Sequence, residues 1–279
     1  MIDLDLSERW PKLPLAVVIG AGAMGAAVAR RFGQEYRVLL VDIDTNRLAK
    51  ESAALTQMGV QNTTAVCNVT DPLSVSELAV TVKALGSFRA LAHVAGLSPS
   101  LADWRTIMSV NLLGPALVTE ALLPLVETGS CAVLIASLSA HLRAVPADLL
   151  AILQSPLQDN FWQRLIESAE GDITSAESYM WSKIGVLVLA KQRAVAWGRQ
   201  GGRVVSLSPG LIASTQGELE FQKNNSKVQL LSVCPARRQG NLQEIANAVA
   251  FLASNQASYI NGTDLLVDGG ALAGIQFSK

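Results

Sequence analysis

Apolar residues along this chain come in short unbroken runs separated by amphipathic stretches, and that alternation sets the elements. Leu15–Ile19 is a run of strand length, followed by GAGAMG and then the helical text AAVARRFGQE. RVLLV (37–41) gives a second strand ending at Asp42. Thr64–Cys67 and Leu91–Val94 read as the third and fourth strands, with helical text around 73–85 between them. A long helical pattern runs from about Asp103 to Glu127, and CAVLIAS (131–137) supplies a fifth strand. A helix carrying Tyr179 and Lys183 continues to about Gly198; RVVSLSP (203–209) is a sixth strand, Leu242–Ala253 a helix, and TDLLVDG (263–269) a seventh strand. Strands apolar on both faces are buried on both faces, which is the mark of a parallel sheet covered by helices. The pattern predicts an α/β fold, a doubly wound Rossmann-type seven-stranded parallel sheet. No linker or compositional break divides it, so one domain is expected over 1–279.

Composition narrows the classes. Half of the 279 residues are hydrophobic and only 5% are aromatic, so the core is large and mainly aliphatic. A formal net charge of −1 gives no electrostatic footprint for nucleic acid or a membrane surface. Cys67, Cys131 and Cys234 are odd in number and far apart, and His93 and His141 have no partner at metal-ligand spacing. Reduced thiols, a cytoplasmic location and no metal site are expected. Leu13–Ala29 is uncharged and follows Lys12, like a signal-peptide core. Its three glycines and the acidic Asp3, Asp5 and Glu8 before it favour a buried strand and helix instead.

Gly20, Gly22 and Gly25 fit G-x-G-x-x-G after a strand and at the start of a helix, and Asp42 lies 20 residues beyond Gly22. That spacing closes a βαβ unit of the dinucleotide-binding kind. Glycines let the backbone approach a pyrophosphate, whose charge sits on the helix N-terminus. Asp42 can accept from both adenosine ribose hydroxyls and would repel a 2′-phosphate, so NAD is the expected cofactor. Arg47 is the only basic residue near enough to argue otherwise.

In ESYMWSKIGVL, Tyr179 and Lys183 stand four apart and therefore share a helix face. Chance produces such a pair in about one chain in six, so the neighbours decide its meaning. With the glycine unit, Asn111 in VNLLGP, Ser137 in LIASLS and Tyr179-x-x-x-Lys183 in order, the chain resembles the short-chain dehydrogenase/reductase family, classical type, over roughly 14–270. HVAG (93–96), Pro209-Gly210 and NGTDLLVDGG extend the likeness. Its nearest likeness is to the bacterial 3α-hydroxysteroid dehydrogenase/carbonyl reductase branch, which also carries SAHL (139–142) after the serine.

The resemblance implies a catalytic set of Asn111, Ser137, Tyr179 and Lys183. It implies cofactor contacts from Gly20, Gly22, Ala23, Met24, Gly25, Asp42, Ile43, Asn68, Val69, Val94, Ala95, Gly96, Tyr179, Lys183, Pro209, Gly210 and Ile212. Tyr179 would be the general acid/base interconverting a secondary alcohol and a ketone, Ser137 would hold the substrate oxygen, and Lys183 would also grip the nicotinamide ribose. A free tyrosine has a pKa of about 10, so reaching about 7 takes roughly 4 kcal/mol of differential stabilisation, to which a neighbouring ammonium contributes. A non-catalytic nucleotide-binding regulator on the same fold is the alternative.

Departures are informative. GAGAMG is shorter than the family's usual loop, His93 and Val94 replace two customary asparagines, and Asn68 replaces an aspartate. His93, ending a buried strand, is expected to be a structural hydrogen-bonder. Ser139 rivals Ser137, and family register favours Ser137. Pro115 denies the Asn111 carbonyl its helical partner, which predicts a kink there; the resemblance implies that this oxygen faces a water near Lys183. Between Ser137 and Tyr179 lies more chain than a loop needs. ADLLAIL (147–153) reads as one short helix. LQDNFWQRLIESA (157–169) reads as another, with Leu157, Phe161, Leu165, Ile166 and Ala169 on one face and Pro156 between the two. This helix–turn–helix insertion over about 144–175 must bury its stripe, either on the neighbouring helix or over the substrate cleft. A homodimer through the edge at 263–269, or a homotetramer, is expected.

Overall fold

The computed structural model describes residues 13–169, 171–213 and 225–277; Asp3, Asp5 and Glu8 lie outside them. Seven parallel strands form the sheet: β1 (Leu15–Ile19), β2 (Arg37–Asp42), β3 (Asn62–Val66), β4 (Phe88–His93), β5 (Cys131–Ile135), β6 (Arg203–Pro209) and, last in the chain, β9 (Asp264–Val267). Their order is β3-β2-β1-β4-β5-β6-β9, so the chain reverses direction of winding at β1, opening a crevice between β1 and β4. β7 (Ile212–Ala213) and β8 (Gly240–Asn241) make a separate two-stranded ladder beyond the end of β6.

Helices cover both faces. α1 (Ala23–Phe32) and α10 (Leu242–Ala253) pack on one face, where Val18, Leu40, Val133 and Val205 are buried. The other carries α3 (Pro72–Leu85), α4 (Trp104–Met108), α5 (Gly114–Ala121) and α8 (Ser175–Gly198) over Val17, Leu91, Leu134 and Val204. Helix starts are set locally. Asp44 accepts from the N–H groups of Asn46 and Arg47 to start α2 (Thr45–Gln57), and Asp71 with Pro72 starts α3. Thr174/Glu177 and Asn241/Glu244 form capping boxes on α8 and α10. A cap of this kind stabilises a helix by about 1 kcal/mol.

Strand expectations hold to within a few residues, with one physical exception. β3 is an edge strand whose residues are exposed or half-buried, so it lacks the two-faced burial of its neighbours. The helical text from Asp103 to Glu127 is not one helix. α4 passes into a π turn over Ser109–Leu113, then α5, then a 3₁₀ turn at Leu123–Leu125. The break expected at Pro115 therefore takes the form of a π turn, in which the Gly114 N–H bonds the Ser109 carbonyl.

The insertion is helical: α6 (Ala147–Leu153) and α7 (Phe161–Glu167). Leu149, Ile152, Leu153, Phe161 and Leu165 are buried in the main core. Leu157 and Ile166, expected on the same stripe, are instead 39% and 48% exposed: Leu157 lies between the two helices, and Ile166 is turned about 100° from the buried Leu165. The two helices cover the neighbouring helices: α6 packs on α8, and Trp162 meets Trp104 of α4 edge-on at 6.0 Å. Arg105 lies over both indoles, 5.3 and 5.0 Å from their centroids.

Candidate active site

The glycine residues are placed as a pyrophosphate cradle requires. Gly20 has φ +99°, and a Cβ there would lie 2.7 Å from the Ala95 nitrogen. A Cβ on Gly25 would collide with the Gly20 carbonyl oxygen, so the loop closes on the start of α1 only with glycine there. A Cβ on Gly22 would meet nothing within 4 Å, which leaves the loop's outer side open. Gly22 is also the N-cap of α1 and makes no side-chain cap bond, so Ala23 and Met24 begin the helix facing that open side. These residues fit a dinucleotide diphosphate.

Asp42 is nearly buried at the end of β2 and already has several donors. Its Oδ2 accepts from the Ala21 N–H at 2.7 Å and its Oδ1 from the Asp44 N–H at 2.9 Å. Arg47 approaches both oxygens at 3.3 and 3.4 Å, with its own side chain 46% exposed. Ile43 beside it is 63% exposed and offers an apolar surface at the crevice. Asn68 turns its Oδ1 to the Thr70 N–H and hydroxyl, and Val69 packs inward against Gly114. Both side chains are engaged within the protein.

Val94 and Ala95 both donate their N–H groups to the Ile19 carbonyl at 2.8 Å, drawing the strand end against the glycine loop. Gly96 follows, where a Cβ would come within 3.3 Å of Asn111 Oδ1 and 3.4 Å of Lys183 Nζ. Asn111, buried on the π turn, clamps this loop. Its Oδ1 accepts from the Leu97 N–H at 2.8 Å and its Nδ2 donates to the Leu97 carbonyl at 3.0 Å. Pro209 and Gly210 follow β6, and Gly210 N–H bonds Val267 O at 2.9 Å. Ile212 opens β7.

Tyr179 sits half-buried in the first turns of α8, and Lys183 one turn later is buried. The ammonium lies 5.8 Å from the Tyr179 ring centroid and donates to the Ile135 carbonyl at 2.9 Å. Burial pushes the Lys183 pKa down to about 8. Ser178 and Ser175 donate to the carbonyls of Trp104 and Ala102, pinning the start of α8 to α4. Ile135 is two residues before Ser137, which is half-buried and caps a 3₁₀ turn, Leu138–His141. Ser137 Oγ accepts the Ser139 N–H at 3.1 Å, whereas Ser139 Oγ is buried with no partner among the described residues. Of the two hydroxyls, that of Ser139 is the buried one.

His93 departs from expectation. It is buried at the end of β4, yet its Nε2 has no hydrogen-bond partner among the described residues. Burial, reinforced by the Lys183 ammonium, holds its pKa down to about 3, so the ring is neutral at any physiological pH. Leu97, Ile135 and His141 also take part through backbone or long-range hydrogen bonds, which local sequence does not signal. Concavity alone would point elsewhere. A cavity of about 340 Å³ lined by Glu35, Tyr36, Arg89 and Asn255 lies at the opposite ends of the strands. Among the described residues no group of three or more His, Cys, Asp or Glu could hold a metal, all three cysteines are free, and no helix is long and apolar enough to cross a membrane.

The chain is similar to known proteins. The family described as enoyl-(acyl carrier protein) reductase matches residues 20–150 and 166–271, with its one internal gap inside the α6–α7 insertion. The short-chain dehydrogenase/reductase bsc3 of Alternaria brassicicola is 34% identical over 262 residues, 92% of this chain and 95% of its own. The 3-alpha-hydroxysteroid dehydrogenase/carbonyl reductase of Comamonas testosteroni is 32% identical over 181 residues, 63% of this chain and 69% of its own. In fold, a variant of actinorhodin polyketide ketoreductase solved with NADPH superposes with a TM-score of 0.72 at 21% identity, over 93% of this chain and 97% of that one. A nucleotide cradle at the strand crossover, with a buried lysine beside a tyrosine one helical turn away, is found here on a chain matched through most of its length, and the chain belongs to the short-chain dehydrogenase/reductase family of oxidoreductases.

Proposed function

We propose that this chain, folded as one catalytic domain over 1–279, is an NAD(H)-dependent oxidoreductase that interconverts a secondary alcohol and a ketone. One observation carries the reading: the Lys183 ammonium is buried beside the Tyr179 ring and fixed on the carbonyl two residues before Ser137. A desolvated cation in that position favours the phenolate, which is what a tyrosine needs to act as a base near neutral pH. Gly20, Gly22, Ala23, Met24 and Gly25 would hold the pyrophosphate, and Asp42 with Ile43 the adenosine. Backbone at 68–69 and 94–96, Lys183, Pro209-Gly210 and Ile212 would hold the rest. The bound dinucleotide supplies the hydride acceptor or donor.

In the oxidative direction Tyr179 takes the hydroxyl proton of the alcohol, and in the reductive direction it gives that proton to the carbonyl oxygen. Ser137 Oγ holds the same oxygen, where charge develops in the transition state. Asn111 keeps the Gly96–Leu97 loop in place, and its carbonyl, which Pro115 cannot bond, holds a water toward Lys183. A bulky hydrophobic ketone or alcohol is the substrate class, by likeness to the hydroxysteroid dehydrogenase/carbonyl reductase. The insertion occupies the outer faces of α4 and α8, so we propose a cytoplasmic homodimer that associates through the β9 edge; a homotetramer is the alternative.

The test is turnover of a panel of cyclic ketones and alcohols with NADH or NAD, alongside Tyr179→Phe. The variant should bind NADH normally by fluorescence and lose roughly two to four decades of turnover. Near-normal turnover in the variant would overturn the mechanism. NAD(H) should be preferred over NADP(H) by about tenfold or more, equivalent to about 1.4 kcal/mol. Equal constants with both would overturn the cofactor choice.

A further inference from the structure

The 3₁₀ turn that begins at Ser137 ends at His141, and His141 is held from the far side of the sheet. Its Nε2 lies 3.0 Å from Asp264 Oδ2 on β9 and 3.1 Å from Ser208 Oγ on β6. Both partners are well inside: Ser208 is fully buried and the Asp264 side chain is 11% exposed. The other oxygen of Asp264 is buried and unpartnered among the described residues, so its charge has no second protein donor there. Ser206, beside Asp264 in the β6–β9 register, also has an unpartnered buried hydroxyl. A carboxylate in such surroundings holds its one imidazole partner strongly, because the alternative is a desolvated charge without a hydrogen bond.

The turn is therefore tied at both ends. Upstream, the Ile135 carbonyl is bonded by Lys183; downstream, His141 is bonded by Asp264 and Ser208. Between the anchors, the Ala140 N–H bonds the Ser137 carbonyl at 3.0 Å, and Leu138 is buried with Cys234 and Ala271. Releasing the downstream anchor frees Ser137 to shift relative to Tyr179 without touching the glycine cradle.

We propose that His141, through Asp264 and Ser208, is a positioning residue for Ser137: it sets where the substrate oxygen is held and takes no part in cofactor binding. This rests on the role given to Ser137 above. The chemistry is that of an orienting carboxylate–imidazole pair, in which proton transfer to substrate plays no part.

The experiment compares His141→Leu, His141→Gln and the double variant His141→Leu/Asp264→Leu. The double variant removes the unpaired carboxylate that could unfold the single one. Hydrogen exchange by mass spectrometry is read on the peptide spanning 137–142, NADH affinity by fluorescence, and kcat and KM with the panel ketone turned over fastest. His141→Leu and the double variant should exchange the Ala140 and Leu142 amides at least about tenfold faster. Their kcat should fall about 10- to 100-fold, the size expected for an ångström-scale misplacement, with NADH affinity unchanged. His141→Gln, which keeps a donor, should restore most of both. Unchanged exchange in the double variant would overturn the proposal, and so would faster exchange with unchanged kcat, or a loss of NADH affinity matching the loss of kcat. Should Tyr179→Phe prove fully active, the catalytic reading fails by itself while the exchange result still decides whether His141 anchors the turn.

Discussion

Burying His93 beside Lys183 makes the fold sensitive to acid in a calculable way. In the unfolded chain the imidazole takes up a proton as pH falls through its ordinary value of 6.5, whereas in the folded chain it stays neutral down to about 3. The unfolded state thus binds more protons between those limits, and the free energy of unfolding falls with pH across that window. Above pH 6.5 the contribution is fully present. At about 1.4 kcal/mol per unit, this residue alone removes on the order of 2 kcal/mol at pH 5 and 3 kcal/mol at pH 4. Its limit is on the order of 5 kcal/mol below pH 3. Against a typical domain stability of about 5–15 kcal/mol, that is a large share. Glu177 and Glu244, whose carboxyls are held low by hydrogen bonds, act in the same direction, so the difference between variants is the quantity to read. Urea unfolding of the wild type and His93→Asn at pH 7.5, 5 and 4 should give curves that converge or cross as pH falls. Any packing cost of the substitution is constant with pH and drops out. Parallel pH dependences, within about 0.5 kcal/mol, would refute the buried neutral imidazole.

Lys183 gives the alkaline counterpart: its pKa is lowered to about 8, so the unfolded chain binds more protons between there and 10.5, and stability rises with pH in that range. Lys183→Met should flatten this rise, measured as the difference from wild type because the raised thiol of Cys131 acts oppositely. Gly22→Ala, whose Cβ enters open space, should melt like the wild type yet bind NADH at least about tenfold more weakly. Gly25→Ala should lose thermal stability as well; equal melting temperatures would show that the cradle is not closed as described. Trp162→Ala should cost about 2 kcal/mol in urea unfolding, from two edge-to-face ring contacts and the Arg105 contact. Arg47→Ala should widen the preference for NADH over NADPH in fluorescence titrations, since it removes the guanidinium at Asp42; a narrowed preference would contradict that assignment.

The strands and the main helices were legible because burial on both faces leaves apolar runs that nothing else explains. The insertion helices were legible too, as Pro156 separates two periodic stretches. Elements went unnoticed where local signals are weak. α2 is polar with only Leu48 and Leu55 buried, α9 (Asn225–Val233) has little amphipathic contrast, and α11 (Ala271–Phe277) is seven residues long. The π turn left no trace because it is a matter of hydrogen-bond register, and residue types do not encode that by themselves. In the site, residues with a motif were found, and those that act through backbone atoms or across the sheet were not. Leu97 serves Asn111 by its peptide group, and His141 finds Asp264 at a separation of 123 residues.

The π turn at Ser109–Leu113 has a consequence for how this segment tolerates length changes. A π turn adds one residue to a helix without lengthening its path appreciably, and each residue of an α-helix advances the azimuth by about 100°. The segment before it, with Trp104 and Arg105 against the insertion, is therefore out of phase with the segment after it, where Ala116 receives Arg193 of α8. Deleting one residue of the wide turn would remove only the residue that it absorbs, and the two halves would keep their facing. Deleting one residue at 106–108 instead would turn Arg105 by about 100° relative to Asn111, so that either Arg105 would leave Trp162 or Asn111 would leave Leu97. One turn of wide helix thus takes up an extra residue while a continuous rod goes on facing two partners at once.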